Sequence, residues 1–100
     1  MNLKHLTKSE IAAIDAEINP TFEEQHIWNL LIKGYDPSNY PPGSIFHDEL
    51  KAYNPRRGTR LKRYQVAELL NLSESSVTRI GNKLTLRVLA TGILEKTRGG

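Results

Sequence analysis

The sequence predicts a mainly α-helical fold with a short β element near its carboxyl end. Apolar residues recur at helical spacing through most of the 100 residues, and several helix starts carry capping signals. Residues 93–96 (Ile-Leu-Glu-Lys) follow a glycine and precede a Thr-Arg-Gly-Gly sequence, a pattern typical of a strand that enters a hairpin turn.

Composition excludes several classes of protein. The chain contains no cysteine, so disulfides and cysteine-ligated metal sites are excluded. The longest apolar run, Trp28 to Ile32, is too short to span a membrane, and the first residues lack the apolar segment of a signal peptide. We therefore expect a cytoplasmic protein.

Two helices are predicted before residue 34, each started by a capping box. Thr7 pairs with Glu10 in the first box, and Thr21 pairs with Glu24 in the second. The first helix is expected to stop at Asn-Pro (residues 19–20). The second should run to about residue 33, and Gly34 then ends it.

The second helix carries apolar residues on two faces. Trp28 and Ile32 point away from the face that holds Ile27 and Leu31. Two packing neighbours are therefore expected, and one of them could be a second copy of the chain. Either an exposed apolar side at Trp28 and Ile32 or the isoleucine stripe of the first helix would then supply a homodimer contact.

A loop, a short helix and a basic segment occupy the middle of the chain. Residues 35–43 are rich in turn formers, and residues 45–53 have helical spacing after a capping serine. Residues 56–63 are the densest basic run. This run could be a short strand that leads into the next helix, or a tail-like basic arm.

Residues 65–82 predict two helices folded across one tight turn. Ala67 is small where the helices would touch, Asn71 tolerates the left-handed turn conformation, and Ser73 can cap the second helix. That helix should continue to about residue 89. Gly81 inside it costs roughly 1 kcal/mol relative to alanine, so a close helix contact is its expected reason.

This pattern resembles the DNA-binding helix-turn-helix, which inserts its second helix into the major groove. With the glycine stop, the strand of residues 93–96 and the basic glycine turn, it is similar to the winged helix-turn-helix of bacterial, archaeal and phage regulators. The resemblance implies a mainly α fold with a small β wing and additional N-terminal helices. Residues 59–100 would hold the helix-turn-helix and the start of the wing. Residues 1–58 would form a helical support and possible dimerisation region within one compact domain.

The charge distribution agrees with a polyanion partner. Residues 1–50 carry three lysine or arginine side chains against eight acidic ones, whereas residues 51–100 carry eleven against three. The positive field therefore belongs to the half that holds the two-helix motif, as a DNA-binding face requires. A solvated basic surface explains the same charges without a partner.

The resemblance and the charges together assign candidate DNA-binding residues, with a recognition helix over about residues 74–89. Basic side chains would neutralise phosphates, and these are Arg56, Arg57, Arg60, Lys62, Arg63 and Arg98. The serines at the helix start would hydrogen-bond the DNA backbone or base edges, and these are Ser73, Ser75 and Ser76. The candidates for reading sequence are Thr78, Arg79 and Asn82. Lys83 and Arg87 are expected to meet phosphates or solvent.

Catalytic and cofactor signals are absent from the sequence. The three histidines lack metal-ligand spacing and read as surface or helix histidines, and no glycine-rich phosphate-binding or nucleophile motif occurs. We therefore expect a protein that is not an enzyme and that binds no cofactor or metal.

The expected function is sequence-specific binding of double-stranded DNA by a homodimer, as a transcriptional regulator. One alternative is a replication-initiation or partition protein of a plasmid or phage. Another is a winged-helix accessory or protein-interaction domain of a larger helicase or primase.

Overall fold

The computed structural model describes residues 6–97, which form six α-helices. The helices are α1 (Lys8–Ile18), α2 (Phe22–Ile27), α3 (His47–Tyr53), α4 (Arg63–Leu70), α5 (Glu74–Ala90) and α6 (Ile93–Thr97). A π-helical turn, Trp28–Ile32, continues α2, and a 3₁₀ turn spans Pro37–Asn39. None of the helices in this part of the chain has the length and apolar character needed to cross a bilayer.

Both predicted capping boxes are confirmed at the starts of α1 and α2. The Glu10 amide donates to Thr7 Oγ1 at 3.1 Å, and the Thr7 amide donates to Glu10 Oε1 at 2.9 Å. Thr21 and Glu24 repeat this exchange at 3.3 Å and 3.0 Å. Each box satisfies amides that a helix start leaves unpaired, so the local sequence sets both starts.

The chain passes from α2 into the π turn at Trp28, where the Lys33 amide donates to the Trp28 carbonyl at 2.8 Å. Trp28 is buried at 1 % exposure, and its indole N–H donates to Asp15 of α1. The prediction of an exposed apolar side at Trp28 is therefore wrong. Ile14 and Ile18 of α1 are buried too, so that stripe already packs within the molecule.

The predicted β wing is absent from the described residues, and the prediction of a strand over residues 93–96 is wrong. Gly92 reverses the chain at a φ of 72°, and α6 then folds back onto α1. Ile93 and Leu94 are buried there, and the Lys96 amide donates to the Gly92 carbonyl at 3.1 Å. A helix satisfies its backbone internally, whereas a lone strand needs a partner that this region does not provide. The fold of residues 6–97 is all-helical.

A single core joins the N-terminal helices to the helix pair. Its fully covered side chains include Ile14, Ile27, Val66, Leu84 and Val88. Helix α5 contributes its buried stripe and contacts α1, α2, α4 and α6. The N-terminal helices thus support α5 from behind and fix its position relative to α4.

Candidate nucleic-acid interface

The two helices predicted over residues 65–82 are present, with a three-residue turn between them. Asn71 adopts the left-handed conformation at φ 55°, and the Leu72 amide donates to the Ala67 carbonyl at 2.9 Å. Val77 faces inward at 1 % exposure. The turn residues therefore act as the sequence indicates, since asparagine tolerates positive φ better than other side chains.

One side of α5 is open to solvent along its first three turns. Glu74, Ser75, Arg79 and Asn82 are all exposed, and no N-terminal helix covers them. Neither Arg79 nor Asn82 forms an ion pair or a side-chain hydrogen bond within residues 6–97. Their donors are therefore available to a partner outside the chain.

The three candidate serines form one local cluster at the start of α5. Ser73 Oγ accepts from the Ser76 amide at 3.2 Å, donates to Ser76 Oγ at 2.9 Å and lies 3.1 Å from Ser75 Oγ. Ser73 is thus the helix cap, and Ser75 is the more accessible of its neighbours. The cluster presents hydroxyl groups beside the positive end of the helix.

Arg63 joins the basic segment to α5. Its Nη1 donates to Thr78 Oγ1 at 2.7 Å, and Thr78 Oγ1 in turn donates to the Glu74 carbonyl at 3.1 Å. Lys62 and Arg63 lie beside Asn82 along one groove. The structure therefore brings two predicted phosphate-binding residues next to two predicted sequence-reading residues.

The basic segment, residues 56–63, is neither a strand nor a free tail. The Gly58 amide donates to the Tyr35 carbonyl at 2.7 Å, the Tyr35 amide to the Thr59 carbonyl at 2.9 Å, and the Leu61 amide to the Leu30 carbonyl at 2.9 Å. The predictions of a short strand and of a tail-like basic arm are therefore both wrong. The segment turns at Arg57 and Gly58, and backbone hydrogen bonds hold this turn in place. The positions of its basic side chains are therefore fixed at the backbone.

The cations of this segment are exposed and mostly unpaired. Arg56, Arg60 and Lys62 line a depression of about 320 Å³ between the end of α3 and the start of α4. Arg57 alone among the segment's cations pairs with a carboxylate in residues 6–97, at 3.5 Å from Asp36. That pair is exposed and contributes little energy, so it does not prevent Arg57 from contacting another anion.

Three further basic residues lie elsewhere. Lys83 is exposed, but it sits about 140° around the axis of α5 from Thr78, on the flank away from Arg63. Arg87 is partly exposed to solvent, as expected, but its guanidinium also pairs with Glu24 and donates to the Ile18 carbonyl, which the sequence did not indicate. Arg98 lies outside the described residues.

Leu86 is the residue on this face that the sequence did not single out. It is 66 % exposed and follows Asn82 by one helical turn, so it extends the open side of α5. Its position outside the buried stripe of Val77, Leu84 and Val88 is the signal that could have identified it.

Two histidines are placed around Tyr40, away from this face. His26 is buried in α2 with its Nδ1 2.8 Å from the Tyr40 hydroxyl, and His47 Nδ1 lies 2.9 Å from the Tyr40 carbonyl oxygen. His26 is therefore a core residue and not a surface histidine. Burial lowers its pKa below 6.5, and burial raises the pKa of Tyr40 to about 12. Within residues 6–97, no group of three histidine or acidic side chains could hold a metal ion.

This buried histidine predicts a loss of stability in mild acid. The folded chain holds His26 neutral below the pH at which the unfolded chain, with a pKa near 6.5, takes up a proton. The contribution of His26 to the free energy of unfolding should therefore be complete above about pH 6.5. It should fall as the pH decreases below that value. Urea titrations measure this effect. Between about pH 7.5 and about pH 5, the free energy of unfolding should change less in His26→Phe than in the unmodified chain. An equal change in both proteins would contradict this assignment.

Comparison with protein-family models, with curated proteins and with solved structures found no match.

Proposed function

We propose that this protein binds double-stranded DNA sequence-specifically, with α5 as the helix that enters the major groove. The observation that carries the proposal is the hydrogen bond from Arg63 to Thr78, which joins the basic segment to the open side of α5. Phosphate-binding cations and base-reading side chains then meet one duplex at the same time. The protein would act without catalysis, in the cytoplasm.

The proposed roles follow from side-chain chemistry. Arg79 and Asn82 read bases, because arginine pairs with guanine and asparagine with adenine in the major groove. The basic segment neutralises phosphates through Arg56, Arg57, Arg60, Lys62 and Arg63. Ser73, Ser75 and Ser76 place hydroxyls and the positive end of α5 near a phosphate.

Transcriptional regulation by a homodimer is the biological role that we propose, and plasmid or phage replication initiation is the alternative. One pair of inverted half-sites about one helical turn apart in a DNase footprint would support a dimeric regulator. An array of direct repeats would favour replication initiation. Absence of protection on any sequence would overturn both proposals.

Removing the Arg79 guanidinium should weaken binding to the preferred sequence by about 1–3 kcal/mol and relax discrimination at one base step. Fluorescence anisotropy on a set of single-base variants measures both effects. Lys8→Ala, an exposed cation on α1, is the matched control and should leave affinity unchanged. If Arg79→Ala loses the same affinity on every sequence, Arg79 contacts phosphate and does not read a base.

The salt dependence tests the phosphate contacts separately. Five contacts from the basic segment predict a log–log slope of binding against salt of about −4 to −5. A slope near zero would remove the basic segment from the mechanism.

A further inference from the structure

A groove runs along the flank of α5, between the π turn and the start of α4. It is an open surface groove with a volume of about 580 Å³. Ile27 and Val77 form its covered floor, and the half-buried Leu31 and Ile32 form an apolar wall. We call it the α5 groove.

The rim of the α5 groove is cationic. Lys62 and Arg63 line it together with the Asn82 side chain, and none of the residues lining it is acidic. Among the described residues neither cation forms an ion pair. An apolar wall beside two cations that have no carboxylate partner favours a ligand with an apolar body and one anionic end.

Gly81 keeps this groove open, and it does so at a cost in stability. The sequence suggested a close helix contact as the reason for this glycine, but a Cβ there would meet only the Ile27 side chain, at an ordinary 3.8 Å. Its backbone is helical and has no positive φ that would require glycine. A glycine inside a helix costs about 1 kcal/mol relative to alanine. Packing and backbone conformation do not require Gly81, whereas a longer side chain would fill the space beside the apolar wall.

We propose that the α5 groove binds a small aliphatic carboxylate and that this ligand antagonises DNA binding. The alkyl chain lies against Leu31 and Ile32, and the carboxylate accepts hydrogen bonds from Arg63 and Asn82. The antagonism rests on the proposed DNA-binding function, since the carboxylate occupies donors that phosphate and bases would otherwise use. By linkage, DNA then weakens carboxylate binding by the same factor.

Octanoate is the probe, and octylammonium is its control of equal length and opposite charge. Titration of the ¹⁵N-labelled protein should give an octanoate Kd of about 0.1–1 mM, with amide shifts centred on the π turn and residues 77–82. Octylammonium should bind at least about tenfold more weakly. Equal binding of both probes, shifts centred elsewhere, or no binding of octanoate would each overturn the site.

Two variants test the two halves of the groove. Gly81→Leu should fill the apolar half and raise the octanoate Kd by about tenfold, while Lys83→Leu on the opposite flank should leave it unchanged. Arg63→Gln removes an exposed charge without touching the core and should raise the Kd by about fivefold, so it carries the test if Gly81→Leu does not fold. Unchanged affinity in Arg63→Gln would overturn the assignment of the carboxylate.

The regulatory half is tested by measuring DNA affinity with and without saturating octanoate. Antagonism predicts that saturating octanoate decreases the DNA affinity by about threefold to tenfold. Octylammonium should cause no such decrease. Unchanged DNA affinity at saturation would overturn the antagonism. A protein that binds octanoate in the groove but protects no DNA would refute the proposed function and leave the ligand site in place.

Discussion

Replacing Gly34 by alanine is expected to lower the free energy of unfolding by about 2–4 kcal/mol. Gly34 has a φ of +100°, which alanine adopts only with strain. A Cβ at this position would lie 2.6 Å from the Gly58 carbonyl oxygen and 3.0 Å from its carbonyl carbon. Both atoms are backbone, so the collision can be relieved only by moving the turn that carries the basic segment.

Gly58→Ala is the matched control, since it lies on the other side of the same contact. Its φ is +82°, but a Cβ there would meet no heavy atom within 4 Å. We expect a loss of about 1 kcal/mol, from backbone strain alone. Urea unfolding of both variants measures the difference. Equal losses would show that the close approach of residues 34 and 58 does not constrain the fold.

Arg87→Met is expected to cost about 2–3 kcal/mol, because it leaves buried acceptors without their donor. The Glu24 side chain is 10 % exposed, and the guanidinium that pairs with it also donates to the Ile18 carbonyl at the end of α1. Methionine replaces the aliphatic stem of arginine but not its donors. The arginine is itself 42 % exposed, which keeps the loss below that of a fully buried pair.

The pH dependence of this loss identifies its cause. The hydrogen bond from Arg87 is the main reason why the pKa of Glu24 lies below its usual 4.5. The resulting stabilisation is fully present above about pH 4.5 and is lost as the pH falls through the lowered pKa. The difference in the free energy of unfolding between the unmodified chain and Arg87→Met should therefore become smaller in acid. Lys83→Met, exposed on the same helix, should cost less than about 0.5 kcal/mol.

Local chemistry made the starts of α1, α2 and α5 and the central turn predictable from the sequence, whereas α3 begins at His47 without the serine cap that was expected. A capping box spans four residues, and Asn71 and Ser73 act on their own backbone and on the next helical turn. Such signals are independent of the rest of the fold. The bounds of α4 and α5, and hence the placement of Arg79 and Asn82, follow from them.

The predictions that are wrong concern interactions between distant parts of the chain. A four-residue segment such as 93–96 fits a strand or a helix equally, and contact with α1 decides between them. Arg87 finds Glu24 at a separation of 63 residues, which no local spacing indicates. The π turn adds a residue to its helical turn, so a 3.6-residue period misplaces the side chains that follow.

The contact between α6 and α1 also bears on the order in which the chain folds. It joins the first and last described helices, so its formation closes almost the entire described chain into one loop. The entropic cost of closing a loop rises with the length of the loop. The α4–α5 hairpin closes a turn of only three residues, so its entropic cost is small. The hairpin that carries the proposed recognition helix can therefore form early, and the docking of α6 onto α1 completes the native state.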